Sequence, residues 1–379
     1  MTSLAGGTAG VAAGTKTPIR IGMLSWLSGI GGQTTGPARD AIVAWSKLVN
    51  SRGGINGHPV ELYVADDGGN ESRSVSIARD FVENKHVIAF VYYESGSAAA
   101  VANYVKSKNV PIVGSLAGEQ LWTQNPMLFP TGPSMDGHFW ASAKLVQDHR
   151  AKKVATVFCT EVSACQESSD AFAAQAKSLG LEVVYQGRIS FTQPDYTAEC
   201  LQMRNSGAQA VVPITENSSA VRLVQSCARQ GFKPTYVFSV GSDEMAKLPE
   251  LDGSVTSLLA FPWFARSGSP AVDEYVDALR RYAPDRLVTG NGVDSLSQGW
   301  IAAKTFEKAA QHVSDNPTSQ DILEGLWAMR GETLGGLLPG GLARTYTRNQ
   351  PTPETYCLLE ADISGGRWTA PHELQPVCR

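Results

Sequence analysis

Residues Ile21–Gly36 read IGMLSWLSGIGGQTTG, an apolar run that ends in glycines and leads into a helical pattern. A strand, a glycine-rich turn and a helix open several nucleotide-binding folds, so the first question is whether this loop cradles phosphate. The dinucleotide fingerprint G-x-G-x-x-G starts well at Gly29 and Gly31, but Thr34 stands at its last position. No acidic residue follows where a ribose partner belongs; Ser51 and Arg52 stand there. The P-loop pattern fails as well. Gly31 and Gly36 have its spacing, but Pro37 and Ala38 replace the lysine and the hydroxyl residue. What survives is a loop at the carboxyl end of a strand, feeding a helix start whose free N–H groups suit a carboxylate or another polar head.

Working outward, the first strand is expected over Ile19–Ser25, and its helix carries Ala41, Trp45 and Leu48 on one apolar face. Asn56-Gly57 turns the chain into a strand holding Val60, Leu62 and Val64. A helix with Val75, Ala78 and Val82 leads to VIAFV (Val87–Val91), apolar on both faces as a buried parallel strand should be. An Ala-rich helix near Ala98–Val105 precedes VPIVG (Val110–Gly114). The rhythm restarts after Gly137, with strands at Val154–Phe158, Leu181–Tyr185, Ala210–Ile214 and Thr235–Val240. Two βαβ series, each long enough for its own parallel sheet, follow from this order.

After Ser257 the order changes. The apolar run LLAFPWF (Leu258–Phe264) precedes helical patterns at Ala271–Tyr282, Val293–Gln311 and Ser319–Met329, and Thr355–Glu360 is strand-like again. A late run of helices needs a sheet to cover, and the first series has the fewer helices. The chain is therefore expected to return to the first domain near residue 260 and to cross back near Arg344. The expected fold is α/β, with two doubly wound parallel-sheet lobes joined by three crossover strands. Residues 1–17 form a tether, 18–136 and 260–343 lobe 1, and 137–259 and 344–379 lobe 2.

Composition narrows the function classes. The chain has 379 residues, of which 42% are hydrophobic, and a net charge of −4 with acidic and basic residues interleaved. No basic patch for nucleic acid stands out, and no apolar run reaches the ~20 residues of a membrane span. Residues 1–17, MTSLAGGTAGVAAGTKT, lack the basic and apolar regions of a signal peptide. Either a segment added for expression or the tether left after removal of an export signal would read this way. The six cysteines, Cys159, Cys165, Cys200, Cys227, Cys357 and Cys378, show no zinc spacing. Local spacing favours the pairs Cys159–Cys165, Cys200–Cys227 and Cys357–Cys378, which points to an oxidising compartment. Six buried thiols in a cytosolic protein is the alternative.

Nothing assembles a nucleophile, a base and an oxyanion hole. GPSMDG (Gly132–Gly137) is one residue too long for a nucleophile elbow, and the six histidines are scattered. Asp66-Asp67 before Gly68-Gly69 reads as a turn or cap. A hydrolase on the same layers is the alternative from another class, and turnover of esters, amides or phosphates would reveal it. No cofactor and no metal are expected.

Three stretches carry a resemblance: IRIGMLSWLSGIGGQTTG from Ile19, VNSRGGINGHPVELYVADDGGNES from Val49, and FVYYESGSAAAVANYVKSKNVPIVG from Phe90. NSRGGING (Asn50–Gly57) is the most specific part. The chain resembles, from about residue 18 to its end, the periplasmic binding proteins of type I fold, and within them the Leu/Ile/Val-type solute-binding proteins of ABC importers. The resemblance implies a small molecule captured in a cleft between two lobes that close by hinge bending. It also implies an exported protein, periplasmic or extracellular, that hands its ligand to a membrane permease. A monomer is expected, with no nucleic acid partner. A repressor of this fold would need a helix-turn-helix ahead of the first strand, and residues 1–17 leave no room for one.

The same resemblance selects the candidate ligand residues. Trp26, Ser28, Gln33 and Thr34 lie on the first loop and the start of its helix. Glu94, Ser95 and Gly96 follow the third strand, and Ser115, Leu116, Ala117 and Trp122 the fourth. In amino acid binders of the family, serine and backbone groups of these last two loops hold the ligand carboxylate, so Ser95-Gly96 and Ser115–Ala117 are the expected anion anchor. From lobe 2 come Glu161, Ala164, Glu216 and Ser242, and from the crossover Trp263. Amino acid binders usually place an acidic residue after the strand matching Thr235–Val240, where it meets the ammonium; here Gly241-Ser242 stand there, and Asp243 and Glu244 come slightly later. The aromatic expected on the first lobe 2 loop is also missing from CTEVSACQES. A buried ammonium without a carboxylate is costly, and Trp26, Tyr92, Tyr93, Trp122, Phe261, Trp263 and Phe264 are available for an apolar cleft. The expected ligand is an organic acid with an apolar body, such as an aromatic carboxylate. The alternative is a branched-chain or other amino acid, with Glu94, Glu161 or Glu216 meeting the ammonium.

Overall fold

The computed structural model describes residues 16–94, 99–114, 120–266, 268–288, 292–338, 340–372 and 375–379. Five parallel strands form the first sheet in the order β2-β1-β3-β4-β5: β1 (Ile19–Ser25), β2 (Val60–Asp66), β3 (Ala89–Glu94), β4 (Ile112–Val113) and β5 (Leu128–Phe129). Between them run α1 (Gly29–Ser51), α2 (Glu71–Glu83) and α3 (Ala99–Lys108). The sheet is apolar on both faces because both are covered. Ile21, Met23 and Val91 pack with Ala41, Ile42 and Trp45 of α1 on one side. Leu24, Phe90 and Ile112 pack with Ala78 and Phe81 of α2 and Val101 and Val105 of α3 on the other.

After α4 (Met135–Asp148) the second sheet begins. It holds β6 (Lys153–Cys159), β7 (Glu182–Ile189), β8 (Ala210–Ile214), β9 (Thr235–Phe238) and β10 (Val255–Leu258), parallel in the order β10-β9-β8-β6-β7. Its helices are α5 (Ser163–Ser178), α6 (Thr197–Asn205), α7 (Asn217–Arg229) and the short α8 (Asp243–Ala246). α9 (Pro270–Tyr282), α10 (Asp285–Val288), α11 (Ser295–Ala309) and α12 (Ser319–Ala328) follow. α9 and α11 pack on α1, and α11 also reaches β3 and β4, so this late helical run lies against the first sheet. The chain then rejoins the second sheet through β11 (Cys357–Ser364), antiparallel to β10, with β12 (Arg367–Thr369) and β13 (Val377–Cys378) paired to β11.

Three segments thus run between the two sheets, and hydrogen bonds tie the first to the third. The buried Arg344 guanidinium donates to Thr131 O at 3.2 Å, and the Tyr346 hydroxyl donates to Pro130 O at 2.9 Å. The disulfides are Cys159–Cys165, Cys200–Cys227 and Cys357–Cys378, the pairs that local spacing favours.

The opening stretch departs from its reading as a glycine loop. The loop proper is only Trp26–Ser28, and the glycines lie in the first turns of α1. Their reason is internal close approach. A Cβ on Gly31 would sit 2.2 Å from the Trp26 indole, and one on Gly32 would sit 2.3 Å from Leu27 O. These glycines make room for the chain's own Trp26 and Leu27 and are not bared toward a ligand.

Candidate functional site

All strands of the first sheet are parallel, so the loops after β1, β2, β3 and β4 leave one edge. The strand order reverses between β1 and β3, and ligands in open α/β sheets bind at such a switch point, beyond the carboxyl ends. β3 is irregular there. Gly22 pairs with Phe90 but Leu24 pairs with Tyr93, so β3 carries one extra residue. Tyr92 takes up the bulge with φ of 66°, in the left-handed region that a bulky residue rarely adopts. As a result Val91 and Tyr92 both face the α1 side, while Phe90 and Tyr93 face α2 and α3.

On the first loop, Trp26 is half-buried, with its indole between Gly31 and Gly69, whose absent Cβ would lie 2.9 Å away. Asp66, at the end of β2, fastens this loop. Its Oδ1 accepts from Leu27 N at 2.8 Å and Gly68 N at 2.9 Å. Burial alone would raise the Asp66 carboxyl, but hydrogen bonds from Ser28, Gly68 and Leu27 outweigh it and hold the group below its usual range. Asp67 is buried, accepting from Gly69 N at 2.8 Å and Ser74 Oγ at 2.7 Å, so the acidic pair fastens the turn before α2, whose N-cap is Asn70. Ser28 and Gln33 are exposed and Thr34 is half-buried. Ser95, Gly96, Ser115, Leu116 and Ala117, the expected anion anchor, lie outside the described residues, as does the Glu94 side chain.

The second sheet offers its own carboxyl edge, and there the predicted acidic residues are engaged. Glu161 Oε1 accepts from Ser190 Oγ at 2.5 Å and Phe191 N at 2.8 Å, joining the loops after β6 and β7. Burial would raise its carboxyl, and these donors reverse that and lower it. Glu216 caps α7, accepting from Ser218 N and Ser219 N at 2.6 Å each and from Ser218 Oγ at 2.9 Å. Asp243 Oδ1 accepts from Trp263 Nε1 at 3.0 Å and its Oδ2 from Gly292 N at 2.9 Å. Glu244 is exposed, and Ala164 is half-buried in the first turn of α5, next to the Cys159–Cys165 disulfide.

Two predicted ligand aromatics are core residues instead. Trp122 is 3% exposed and packs among Phe90, Tyr93, Val101 and Leu128 between sheet and helices. Trp263 is 1% exposed, edge-on to Trp368 with centroids 5.4 Å apart, and a Cβ on Gly241 would lie 2.4 Å from its ring. Sequence reasoning could not separate these from cleft aromatics, because a loop-end aromatic reads the same whether its ring turns into the core or into the cleft.

Among the buried side-chain atoms without a hydrogen-bond partner in the described residues are the hydroxyls of Thr34, Thr215 and Ser242, which lie at helix starts and strand ends. Buried polar groups are nearly always paired, so each exception asks for an explanation. Thr34 lies near the start of α1, and Thr215 and Ser242 follow β8 and β9 on the carboxyl edge. Thr215 escaped the sequence reading; its only signal was its place directly after the strand Ala210–Ile214. Among the described residues no three His, Cys, Asp or Glu side chains converge as metal ligands.

This geometry accords with what the chain is similar to. The family described as periplasmic binding protein matches residues 18–366, and the chain belongs to that family. An amino acid binding protein of Pseudomonas aeruginosa is 25% identical over 304 residues, covering 75% of this chain and 79% of its own length. A branched chain amino acid ABC transporter structure from Thermus thermophilus, with bound valine, matches at a TM-score of 0.82 with 16% identity, covering 96% of this chain and 97% of its own. A solute binding protein of an R. palustris ABC transporter, in complex with 4-hydroxybenzoate, matches at 0.76 with 16% identity, covering 95% and 97%. At these identities the structures establish the fold: two α/β lobes with parallel sheets.

Proposed function

We propose that the chain is an extracytoplasmic solute-binding protein of an ABC importer, and that it captures a small organic acid with an aromatic or otherwise apolar body. Lobe 1, residues 18–136 and 260–343, and lobe 2, residues 137–259 and 344–379, close on the ligand about the crossovers, and the closed form is delivered to the permease. One observation carries the ligand class. The carboxylates Asp66, Asp67, Glu161, Glu216 and Asp243 all accept hydrogen bonds within the protein, whereas the hydroxyls of Thr34, Thr215 and Ser242 are buried and unpaired. An ammonium is held best by a carboxylate that protein donors have not already engaged. A carboxylate needs donors, and hydroxyl groups supply them. The 4-hydroxybenzoate complex of the R. palustris protein supports this reading.

The second reading, an α-amino acid, has the valine complex and the Pseudomonas relative in its favour. A thermal-shift screen against aromatic and alicyclic carboxylic acids and against the proteinogenic amino acids separates the two. A ligand that binds only the native state raises Tm. Acids alone are expected to do so, and stabilisation by amino acids alone would refute the proposal. With the best acid as probe, Thr215→Val and Ser242→Ala are each expected to weaken binding by roughly 2- to 10-fold, the worth of one hydrogen bond. Unchanged affinity in both variants would remove the hydroxyls from the site.

A further inference from the structure

The loop after β9 and the segment before α11 belong to different sheets in the fold, yet they meet backbone to backbone. Ser242 and Val293 form an isolated antiparallel bridge. Asp243 N donates to Gly292 O at 2.8 Å, and Asp294 N donates to Gly241 O at 3.0 Å. Each end of this bridge carries an aspartate whose side chain turns to the same third segment, the crossover that leaves β10. Asp243 Oδ1 accepts from the Trp263 indole N–H at 3.0 Å, and its Oδ2 closes back on Gly292 N at 2.9 Å. Asp294 is 0% exposed and accepts from the Leu259 backbone N–H, with Gln298 Nε2 3.3 Å from its Oδ2. The packing leaves no slack. A Cβ on Gly241 would lie 2.4 Å from the Trp263 ring and one on Gly292 2.7 Å from it, so both strands of the bridge press on the same indole.

We propose that the bridge between Gly241–Asp243 and Gly292–Asp294 is an interlobe latch, and that Asp243 and Asp294 are positioning residues that fasten it to the crossover 259–263 and so set the resting angle between the lobes. A hinge of three bare crossover strands leaves that angle free; a bridge tied at both ends to one crossover fixes it. A carboxylate suits each end because it accepts from two donors at once, here one on the crossover and one beside the bridge itself. Exposed Glu244, next in the chain, has no part in this contact.

The test uses ligand-free full chain, so that its failure leaves the ligand reading standing. All six cysteines are paired, which allows spin labels to be placed at Lys106→Cys on α3 and Lys177→Cys on α5, both exposed. Pulsed dipolar spectroscopy is expected to give one narrow interlobe distance in the labelled parent and in Glu244→Ala. Asp243→Ala is expected to shift and broaden it. Asp243→Asn, whose amide oxygen still accepts from Trp263 but whose NH2 cannot accept from Gly292, is expected to fall between. A folded Asp243→Ala protein with the parent's distance distribution would overturn the latch. If that variant does not fold, Asp243→Asn decides, and a parental distribution in it overturns the latch equally.

Discussion

Two tryptophans of this protein sit in the same kind of slot, between two glycines distant in sequence, and do different work. Trp26 lies between Gly31 and Gly69 at the edge of the first sheet and is half-buried. Trp263 lies between Gly241 and Gly292 beside the crossover; it is 1% exposed and its indole N–H is bonded to Asp243. Glycine pairs alone therefore do not say whether an aromatic serves a ligand. The rest of the surroundings decides. Around Trp263 every side is protein: Phe264 and Trp368 meet it edge-on at 5.0 and 5.4 Å. Trp26 is only half-buried on the loop that precedes α1, which leaves it as a candidate ligand wall and Trp263 as a fixed post.

The largest expected contrast is in stability. Trp263→Ala should cost about 3–5 kcal/mol, as buried aromatic truncations do, and Trp26→Ala about 1–2 kcal/mol, because only part of its area is withdrawn from water. Denaturant unfolding measures both, and equal losses would erase the distinction. Next come the slots. Gly241→Ala forces a methyl into the closed Trp263 packing and should cost about 1–3 kcal/mol. Gly31→Ala also displaces an indole, but a half-exposed one, and alanine's helix propensity returns up to about 1 kcal/mol. Its main effect should be on ligand affinity, and a Gly31→Ala protein less stable than Gly241→Ala would reverse the assignment.

A separate expected effect is a pH dependence at Asp294, beside the crossover. Burial pushes the Asp294 carboxyl up to about 7, against its hydrogen bonds from Gln298, Ser297 and Leu259. An unfolded aspartate titrates near ~3.9, so between these values the folded state binds the extra proton and stability falls as pH rises toward 7. Above 7 the buried charge costs its full amount, and below about 4 that cost is gone. Asp294→Asn removes the charge. Its Tm relative to the parent should be higher at pH 8 than at pH 5, and a difference independent of pH would show that Asp294 does not titrate in this range.

How much of this was legible depends on the range of the interaction. β1 over Ile19–Ser25 and β8 over Ala210–Ile214 fall where the two-sided apolar runs place them. The three disulfides were legible because each closes a short stretch, at separations of 6, 27 and 21 residues. The start of α1 was not legible. Glycines and Pro37 argue for a loop, and packing against the first sheet overrides that propensity. The fate of Glu161 was equally hidden, since its donors Ser190 and Phe191 lie on the loop after another strand. Trp122 and Trp263 read as cleft aromatics from their place at loop ends, and only the folded core shows what surrounds them. Chain order reveals elements, whereas the availability of a carboxylate or an indole is a property of contacts across the fold.

The proposed ligand is a carboxylate without an ammonium. Calorimetric titration of one matched pair decides it: the acid that stabilises the protein most, and the α-amino acid of the same carbon skeleton. The two differ only in the ammonium. The acid is expected to bind at least about tenfold more tightly, a difference of about 1.4 kcal/mol. Tighter binding of the amino acid would mean that a carboxylate is available to its ammonium after all, and would overturn the proposed ligand class.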